Sequence, residues 1–190
     1  MEAICDRISI RRSMSGDESE LKKLWQIVFN DTEEFIDAFF EILYEPGLAC
    51  VALYDNDAVV SAGYCLPGVV VRGRKCSYIY AMATYPEYRG KGIAAAIARR
   101  LVDDAFAGGA DVVATLPASE SLVGWYAKKL GMIPTFVKGL PGAEFPKKWH
   151  RFSAMFSGPD SGSPGHLSAV AAPDTDLNDL VGLGWELTFD

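Results

Sequence analysis

Metal-binding residues are scarce in this sequence of 190 residues. It has two histidines and four cysteines, and the cysteines show no C-x-x-C spacing. Because protein zinc sites are built from clustered Cys and His ligands, we expect no metal site. Isolated cysteines are typical of buried thiols in a reducing compartment, so we predict a cytoplasmic protein. The four are Cys5, Cys50, Cys65 and Cys76.

Long apolar runs are missing as well. No stretch approaches the roughly 20 apolar residues that cross a bilayer, and residues 1–12 lack the pattern of a signal peptide, so we expect no membrane contact. Basic residues are absent from 157–190, which hold six acidic residues, while the rest of the chain carries 18 basic and 19 acidic residues. A nearly neutral body with an acidic tail is a poor binder of nucleic acid and suits an amine partner better.

The sequence does contain the apolar patterning of one mixed α/β domain. Alternating and helical periodicities predict the order β-α-α-β-β-β-α-β-α-β over residues 7–156, with the last strand at 148–156. Eight of the nine residues in 157–165 are Gly, Ser or Pro, which indicates a flexible linker. Residues 166–190 then form an acidic C-terminal extension. Its apolar segment 180–189 is expected to add a strand to the domain or to a neighbouring subunit.

A basic, glycine-rich turn, Arg89-Gly90-Lys91-Gly92-Ile93-Ala94, opens a predicted helix. The strand before it ends near Thr84, and Pro86 follows. Backbone N–H groups at a helix N-terminus bind anions, and glycines let a phosphate approach the backbone, so the turn predicts a phosphate site. The glycines also satisfy the dinucleotide pattern G-x-G-x-x-A, with Asp111 about 20 residues on, which leaves a nicotinamide enzyme as an alternative. That fingerprint follows its strand directly, whereas this turn does not.

Residues Arg89–Ala94 match the acetyl-CoA pyrophosphate loop of the GNAT (GCN5-related N-acetyltransferase) family, which this chain resembles. The family pattern is Arg or Gln, two residues, Gly, one residue, then Gly or Ala. The segment 125–132 (WYAKKLGM) resembles the second signature, with Trp125 and Met132 in place of commoner aromatic residues. The resemblance covers residues 7–156 and makes 1–156 a GNAT acetyltransferase domain. It implies an α/β, GNAT-like fold with a mixed, mostly antiparallel splayed sheet flanked by helices.

The resemblance also implies an acetyl-CoA-dependent N-acetyltransferase, which moves the acetyl group to a primary amine by direct attack on the thioester. In the family the loop backbone holds the pyrophosphate of coenzyme A, and the end of the preceding strand pairs with the pantetheine arm. The backbone N–H of Met82 would stabilise the oxyanion, and the Tyr126 hydroxyl would protonate the departing thiolate. The implied cofactor-binding residues are Met82, Ala83, Thr84, Arg89, Gly90, Lys91, Gly92, Ile93, Ala94 and Ser119.

The general base is where the sequence departs from the family pattern. Many relatives place a Glu on the strand before the loop, where this chain has Tyr78 and Tyr80. We predict that these tyrosines line the substrate cleft and suit an amine with an apolar or aromatic part. A water held by tyrosines is one candidate for the base. The carboxylate candidates are Glu33, Glu34, Asp37, Glu41 and Glu144.

Because the strand before the loop contains no acidic residue, a second class of function stays open. A degenerate family member that senses acyl-CoA without catalysis is the alternative to an enzyme. For the enzyme, the acceptor is a small-molecule or peptide amine, and the sequence leaves its identity and the formation of a homodimer open.

Overall fold

The computed structural model describes residues 7–55, 57–156, 164–187 and 189. Its strands and helices are β1 (Ile8–Arg12), α1 (Glu18–Phe29), α2 (Glu33–Ile42), β2 (Ala49–Tyr54), β3 (Ala58–Val71), β4 (Arg74–Thr84), α3 (Ile93–Ala107), β5 (Val112–Thr115), α4 (Glu120–Leu130), β6 (Ile133–Lys138), α5 (Lys147–Met155), β7 (His166–Ala171) and β8 (Gly184–Trp185). The strands form one mixed sheet in the order β1-β2-β3-β4-β5-β7-β6-β8. This architecture confirms the predicted α/β class.

The chain divides into two compact units. Unit 1 comprises Met1–Cys65 and Tyr80–Leu101, and unit 2 comprises Leu66–Ile79 and Val102–Asp190. The glycine-rich turn therefore belongs to unit 1, whereas Tyr126 belongs to unit 2.

The core of unit 1 is a cluster of aromatic side chains centred on Trp25. Its ring centroid lies 4.6 Å from that of Phe39, 5.3 Å from that of Tyr64 and 5.7 Å from that of Tyr80. Each such pair contributes about 0.5–1.5 kcal/mol beyond its burial. Helical spacing explains the cluster, because Trp25 and Leu21 lie four residues apart on α1 and are both buried. The cluster thereby fixes α1 and α2 against β3 and the end of β4.

The core of unit 2 is built on β5, all of whose residues are buried. β5 is parallel to β4 and antiparallel to β7, which is why its sequence is an almost unbroken apolar run. A second aromatic cluster packs here: the Tyr78 ring centroid lies 5.7 Å from those of Trp149 and Trp185 and 6.4 Å from that of Phe189.

The strand predicted at 148–156 is wrong, because this segment forms the helix α5. Trp149 and Phe152 are 0% and 1% exposed. Their spacing of three residues is helical, so one face of α5 buries both side chains. The alternation of apolar and polar residues that is typical of a strand is absent from this segment. The spacing of three residues between its buried aromatic side chains indicates a helix.

The strand that the pattern missed is β7, which lies between β5 and β6 in the sheet. Its central residues Leu167, Ser168 and Ala169 are all 0% exposed. Small side chains in a strand buried on both faces give little periodic signal, which explains the omission. Of the predicted strand at 180–189, Gly184 and Trp185 form β8, which is parallel to β6. Most of the predicted linker, 157–163, lies outside the described residues, and the predicted domain limits stay a prediction.

β3 and β4 are joined by a two-residue turn at Arg72 and Gly73. Both have positive φ, 48° and 75°, the conformation that favours a tight hairpin. β3 runs through the Pro67-Gly68 pair, where the pattern predicts an interruption. A strand accommodates Pro where no partner needs its N–H group, and both residues are exposed.

No helix among the described residues is long and apolar enough to cross a membrane. Within the same residues there is no group of three or more His, Cys, Asp or Glu side chains that could hold a metal ion. The three described cysteines, Cys50, Cys65 and Cys76, hold thiols and not disulfides.

Candidate active site

The end of β4 leaves regular strand geometry at Ala81, whose φ of 49° is in the left-handed region. For a residue with a Cβ this conformation costs about 1–2 kcal/mol. Tyr80, Ala81 and Met82 are half-buried, whereas Ala83 and Thr84 are buried. The backbone is thus turned aside at the residue before Met82, and strain of this kind is frequent at functional sites. No residue type in the sequence signals it, because Ala is not a residue that favours positive φ.

The Met82 side chain fills the space that Gly63 leaves on β3. A Cβ built on Gly63 would lie 2.1 Å from the Met82 Sδ and 3.2 Å from the Leu101 Cδ1. The glycine is therefore required by packing and not by a special backbone angle. The Met82 side chain therefore packs closely against β3.

Hydrogen bonds tie the strand end to its surroundings in unit 1. The Ser61 hydroxyl lies 2.7 Å from the Ala83 carbonyl oxygen, to which it donates, and 2.7 Å from the Thr84 hydroxyl. Arg89 contacts the same strand end, since its Nε donates to the Thr84 carbonyl oxygen at 3.0 Å. The first residue of the turn is therefore anchored on the last residue of the strand.

Gly90 and Gly92 shape the turn itself. Their φ values are 75° and 81°, and a Cβ added to either would meet no protein atom within 4 Å. Only glycine adopts such angles readily, so both positions require glycine for their backbone conformation. Both residues are exposed, and the space beside them is open. The turn can therefore accept a ligand directly against its backbone.

The helix that follows presents its N–H groups to this turn. The Ala96 N–H donates to the Gly92 carbonyl oxygen at 3.1 Å, which is the first hydrogen bond of α3. The N–H groups of Ile93 and Ala94 precede that bond and have no acceptor within the helix. The Lys91 Nζ donates to the Glu87 carbonyl oxygen in the same turn. Backbone donors and nearby positive charge together make a site suited to a phosphate.

Unit 2 contains a buried phenol, Tyr126, on α4. Its side chain is 6% exposed and packs edge-on against Trp125, with ring centroids 4.9 Å apart. Burial raises the pKa of the phenol, and a hydrogen bond with the Thr115 hydroxyl opposes that rise. A phenol whose pKa is above its ordinary value of 10 is protonated at neutral pH and can donate a proton.

Ser119, predicted to contact the cofactor, is the exposed residue that precedes α4. Its Oγ lies 2.9 Å from the Ser121 Oγ, and it makes no side-chain bond to the helix backbone. Its contact with a cofactor stays a prediction.

The two tyrosines predicted to line the substrate cleft lie in different units. Tyr80 is half-buried in the Trp25 cluster of unit 1. Tyr78 is 2% exposed and lies in the aromatic cluster of unit 2, as expected of a core residue. The five candidate carboxylates for the base are all exposed, and Asp37 pairs with Lys22 at 3.0 Å. None of these positions singles out a base.

This chain is similar to known proteins. Residues 9–129 match the family model described as an acetyltransferase (GNAT) domain. The chain belongs to the GNAT acetyltransferase family. The family predicted from the turn and from the Tyr126 segment is thereby confirmed, and with it the predicted class of enzyme, an N-acetyltransferase with acetyl-CoA as its donor, at the level of the family.

Solved structures agree on the fold. A GNAT family N-acetyltransferase (YhbS) from Escherichia coli, in complex with CoA, has a TM-score of 0.67 and 19% identity over 96% of this chain and 90% of its own. Naa50 from Arabidopsis thaliana, with the bisubstrate analogue CoA-Ac-MVNAL, has a TM-score of 0.60 and 14% identity over 87% of this chain and 99% of its own.

A third structure is similar over a shorter part of the chain. It is a GNAT family acetyltransferase from Brucella melitensis in complex with acetyl-CoA, with a TM-score of 0.55 and 18% identity over 74% of this chain and 97% of its own. A search of curated proteins by sequence gave no match.

Three residues that matter for this geometry were not found from the sequence: Gly63, Ala81 and Thr115. Gly63 and Thr115 contact residues that are distant in the chain, Met82 and Ile79, so no local motif contains them. A glycine inside a strand is the one available signal, since it often marks a close approach of another group.

Proposed function

We propose that this protein transfers the acetyl group of acetyl-CoA to a primary amine of a small molecule or peptide. The observation that carries the proposal is the turn Arg89–Ala94, in a chain of this family. Its two left-handed glycines border open space at the start of a 15-residue helix. In the proposal its backbone N–H groups bind the pyrophosphate of coenzyme A.

Each unit has its own role in the proposed reaction. In unit 1 the strand end Met82–Thr84 holds the pantetheine arm, and the Met82 N–H donates to the acetyl carbonyl oxygen as negative charge develops there. The half-buried position of Met82 and its fixed side chain support this role. In unit 2 the Tyr126 hydroxyl is the proton donor, supported by its burial and its raised pKa.

The bonds change in one sequence. The amine nitrogen attacks the carbonyl carbon and forms the C–N bond, and the carbonyl oxygen becomes negative. The C–S bond then breaks, and the thiolate takes the proton of Tyr126. The nitrogen loses its extra proton to water, and solvent returns a proton to Tyr126. The products are an acetylated amine and coenzyme A with a free thiol.

A water molecule is the proposed base, because the candidate carboxylates are all exposed. An alkyl amine has a pKa around 10, so only a small fraction is neutral at pH 7. We therefore expect turnover to rise with pH in the neutral range. The half-buried Tyr80 beside Trp25 and Phe39 supports an acceptor with an apolar or aromatic part.

The experiment has two readouts, the affinity for acetyl-CoA by calorimetry and the release of thiol with a panel of amines. The panel should contain aromatic and aliphatic amines, polyamines, amino acids and peptides. Binding together with thiol release that depends on the amine supports the proposal. Binding without release from any amine would point to the alternative, an acyl-CoA sensor. Absence of binding would contradict both.

A cytoplasmic location and a homodimer also remain proposals. The thiols of Cys50, Cys65 and Cys76 fit a reducing compartment. Light scattering of the purified chain tests the dimer, and a molar mass near 20.6 kDa would contradict it.

A further inference from the structure

Ser61 is a polar residue of β3 whose side chain is 0% exposed. Its hydroxyl donates to the Ala83 carbonyl oxygen at 2.7 Å. It also lies 2.7 Å from the hydroxyl of Thr84, which is buried as well. A serine hydroxyl has one hydrogen, and because that hydrogen is directed to Ala83, the Thr84 hydroxyl is the donor of the second bond. Both hydrogen bonds therefore join β3 to the end of β4.

A β-bulge in β3 adds a third hydrogen bond beside these two. The register between β2 and β3 shifts between Ala52 and Leu53, which makes Val60 the extra residue of the bulge. The Val60 carbonyl oxygen accepts from the N–H group of Tyr85 at 3.1 Å. Bulges are frequent beside functional sites, where they redirect one residue of a strand. Through Val60 and Ser61, β3 holds three consecutive residues at the end of β4 and directly after it.

The glycine-rich turn is tied to the same strand end by bonds of its own. The Tyr88 N–H donates to the Tyr85 carbonyl oxygen at 2.9 Å. The Arg89 N–H donates to the Pro86 carbonyl oxygen at 3.2 Å, and the Arg89 Nε donates to the Thr84 carbonyl oxygen. A short segment with hydrogen bonds at both ends thus connects the strand to the turn. The position of the turn therefore depends on how β3 holds the end of β4.

We propose that Ser61 is a positioning residue, which fixes the glycine-rich turn relative to the strand end Met82–Thr84. All of these residues lie in unit 1. The inference rests on the proposed function, in which acetyl-CoA binds at both places. The pyrophosphate and the pantetheine arm belong to one molecule, so both bind together only when the turn and the strand end have a matching separation. A site that is held in this arrangement beforehand binds more tightly, because less ordering accompanies binding.

Loss of the Ser61 hydroxyl affects both of its partners. In Ser61→Ala the Ala83 carbonyl oxygen loses this donor in a buried place, and the Thr84 hydroxyl loses this acceptor. A polar group without a partner is costly in the protein interior, so we expect the strand end to shift toward other partners. The turn should shift with it, since the Arg89 Nε is bonded to Thr84.

Ser13 offers a matched control in the same unit. Its side chain is 4% exposed, and its Oγ accepts from the Tyr44 hydroxyl at 3.1 Å and from the Gly47 N–H at 3.1 Å. Both serines are thus buried, and each is bonded to two groups. The two partners of Ser13 belong neither to the strand end nor to the turn. Ser13→Ala should therefore lower the stability of the protein without displacing the turn.

The direct test is calorimetry with acetyl-CoA on the whole chain, in which Ser61→Ala, Ser13→Ala and the unmodified protein are compared. Loss of two buried hydrogen bonds should lower the affinity about tenfold in Ser61→Ala. Ser13→Ala should keep its affinity at a similar loss of melting temperature. An unchanged affinity in Ser61→Ala, or an equal loss in both variants, overturns the proposal. If Ser61→Ala does not fold, Thr84→Val removes one of the two bonds and should give a smaller loss in the same comparison.

A cycle of double variants separates positioning from general destabilisation. Gly90→Val strains the turn itself, because Gly90 has a φ of 75°. Once the turn is disturbed, its position relative to the strand end matters less for the affinity. Ser61→Ala should therefore lower the affinity for acetyl-CoA by a clearly smaller factor in this background. The same factor in both backgrounds would show a structural role only and contradict the proposal.

The free protein gives a spectroscopic reading that needs no ligand. In NMR spectra of backbone amides labelled with nitrogen-15, the signals of Gly90 and Gly92 should move in Ser61→Ala. The same signals should stay in place in Ser13→Ala. Unmoved glycine signals in Ser61→Ala would mean that the bonds of Ser61 do not position the turn, and the inference would be wrong.

The two proposals fail differently. If the unmodified protein does not bind acetyl-CoA, the proposed function is wrong, and the role of Ser61 in that site is overturned with it. If the unmodified protein binds acetyl-CoA and Ser61→Ala binds it equally well, the proposed function stands and this inference falls.

Discussion

The glycine-rich turn of unit 1 and the surroundings of Tyr126 in unit 2 are built on opposite principles. In unit 1 the turn Arg89–Ala94 offers backbone N–H groups, and its two glycines are exposed beside open space. In unit 2 the proposed functional group is one side-chain hydroxyl, on Tyr126, which is 6% exposed. The first part presents main chain to solvent, and the second buries a side chain.

In the proposed function this difference separates cofactor binding from proton transfer. Several backbone N–H groups bind an anion together, so no single side chain of the turn decides the affinity for that anion. A proton, in contrast, is transferred by one atom, and its position and pKa decide the rate. We therefore expect changes in the turn to alter affinity and changes around Tyr126 to alter turnover.

The largest expected effect is that of Tyr126→Phe, which removes one oxygen from unit 2. Loss of a general acid lowers turnover about 100-fold or more, so kcat should fall by that order. The affinity for acetyl-CoA should change little, since the ring remains. Steady-state kinetics and calorimetry on the same preparation measure both. A loss of affinity equal to the loss of kcat would contradict the expectation that changes at Tyr126 alter turnover and not affinity.

The next effect is that of Gly90→Val in the turn. A β-branched residue at a φ of 75° is strained by about 1–2 kcal/mol, so the affinity for acetyl-CoA should fall about tenfold or more. The added side chain also enters the space where we propose that the pyrophosphate binds. Calorimetry measures the affinity.

Gly73→Val is the matched control for Gly90→Val. Gly73 has the same φ of 75° and the same absence of atoms within 4 Å of a Cβ, but it lies in the turn that joins β3 to β4. It should lose stability and keep its affinity. If both variants bind acetyl-CoA equally well, the proposed role of the turn is wrong.

A smaller effect is expected for Gly63→Ala, which tests whether packing positions the Met82 N–H. The added methyl would overlap with the Met82 side chain, and overpacking costs about 1–3 kcal/mol. We expect affinity to fall several-fold for acetyl-CoA and less for CoA, which lacks the acetyl oxygen. In the double variant Gly63→Ala/Met82→Ala, the ratio of the affinities for acetyl-CoA and CoA should return to its wild-type value. An unchanged ratio in the single variant would count against the role of Met82.

The smallest effect is on the pH dependence of kcat in the unmodified protein. The acid must be protonated, and burial raises its pKa above the ordinary 10. The decline assigned to Tyr126 should therefore begin only above about pH 10. Tyr126→Phe should lack this decline. A wild-type decline near pH 8 would mean that another group is the acid.

The sequence predicted the turn because its requirements are local. Gly90 and Gly92 are fixed by backbone angles within six residues, and the same is true of the start of α3. The α5 segment carries a local signal as well, since the spacing of Trp149 and Phe152 is helical, and the predicted strand is wrong because it disregards that spacing. β7 gave too little signal because small side chains pack in the middle of the sheet.

By itself the sequence determined the family, the order of most elements and the glycine-rich turn that we propose as the site of the acetyl donor. Only the tertiary structure decided that Met82 fills the space over Gly63 and that Tyr126 is buried. The physical reason is distance along the chain. Backbone conformation depends on neighbours in sequence, whereas packing and buried hydrogen bonds depend on residues that only folding brings together.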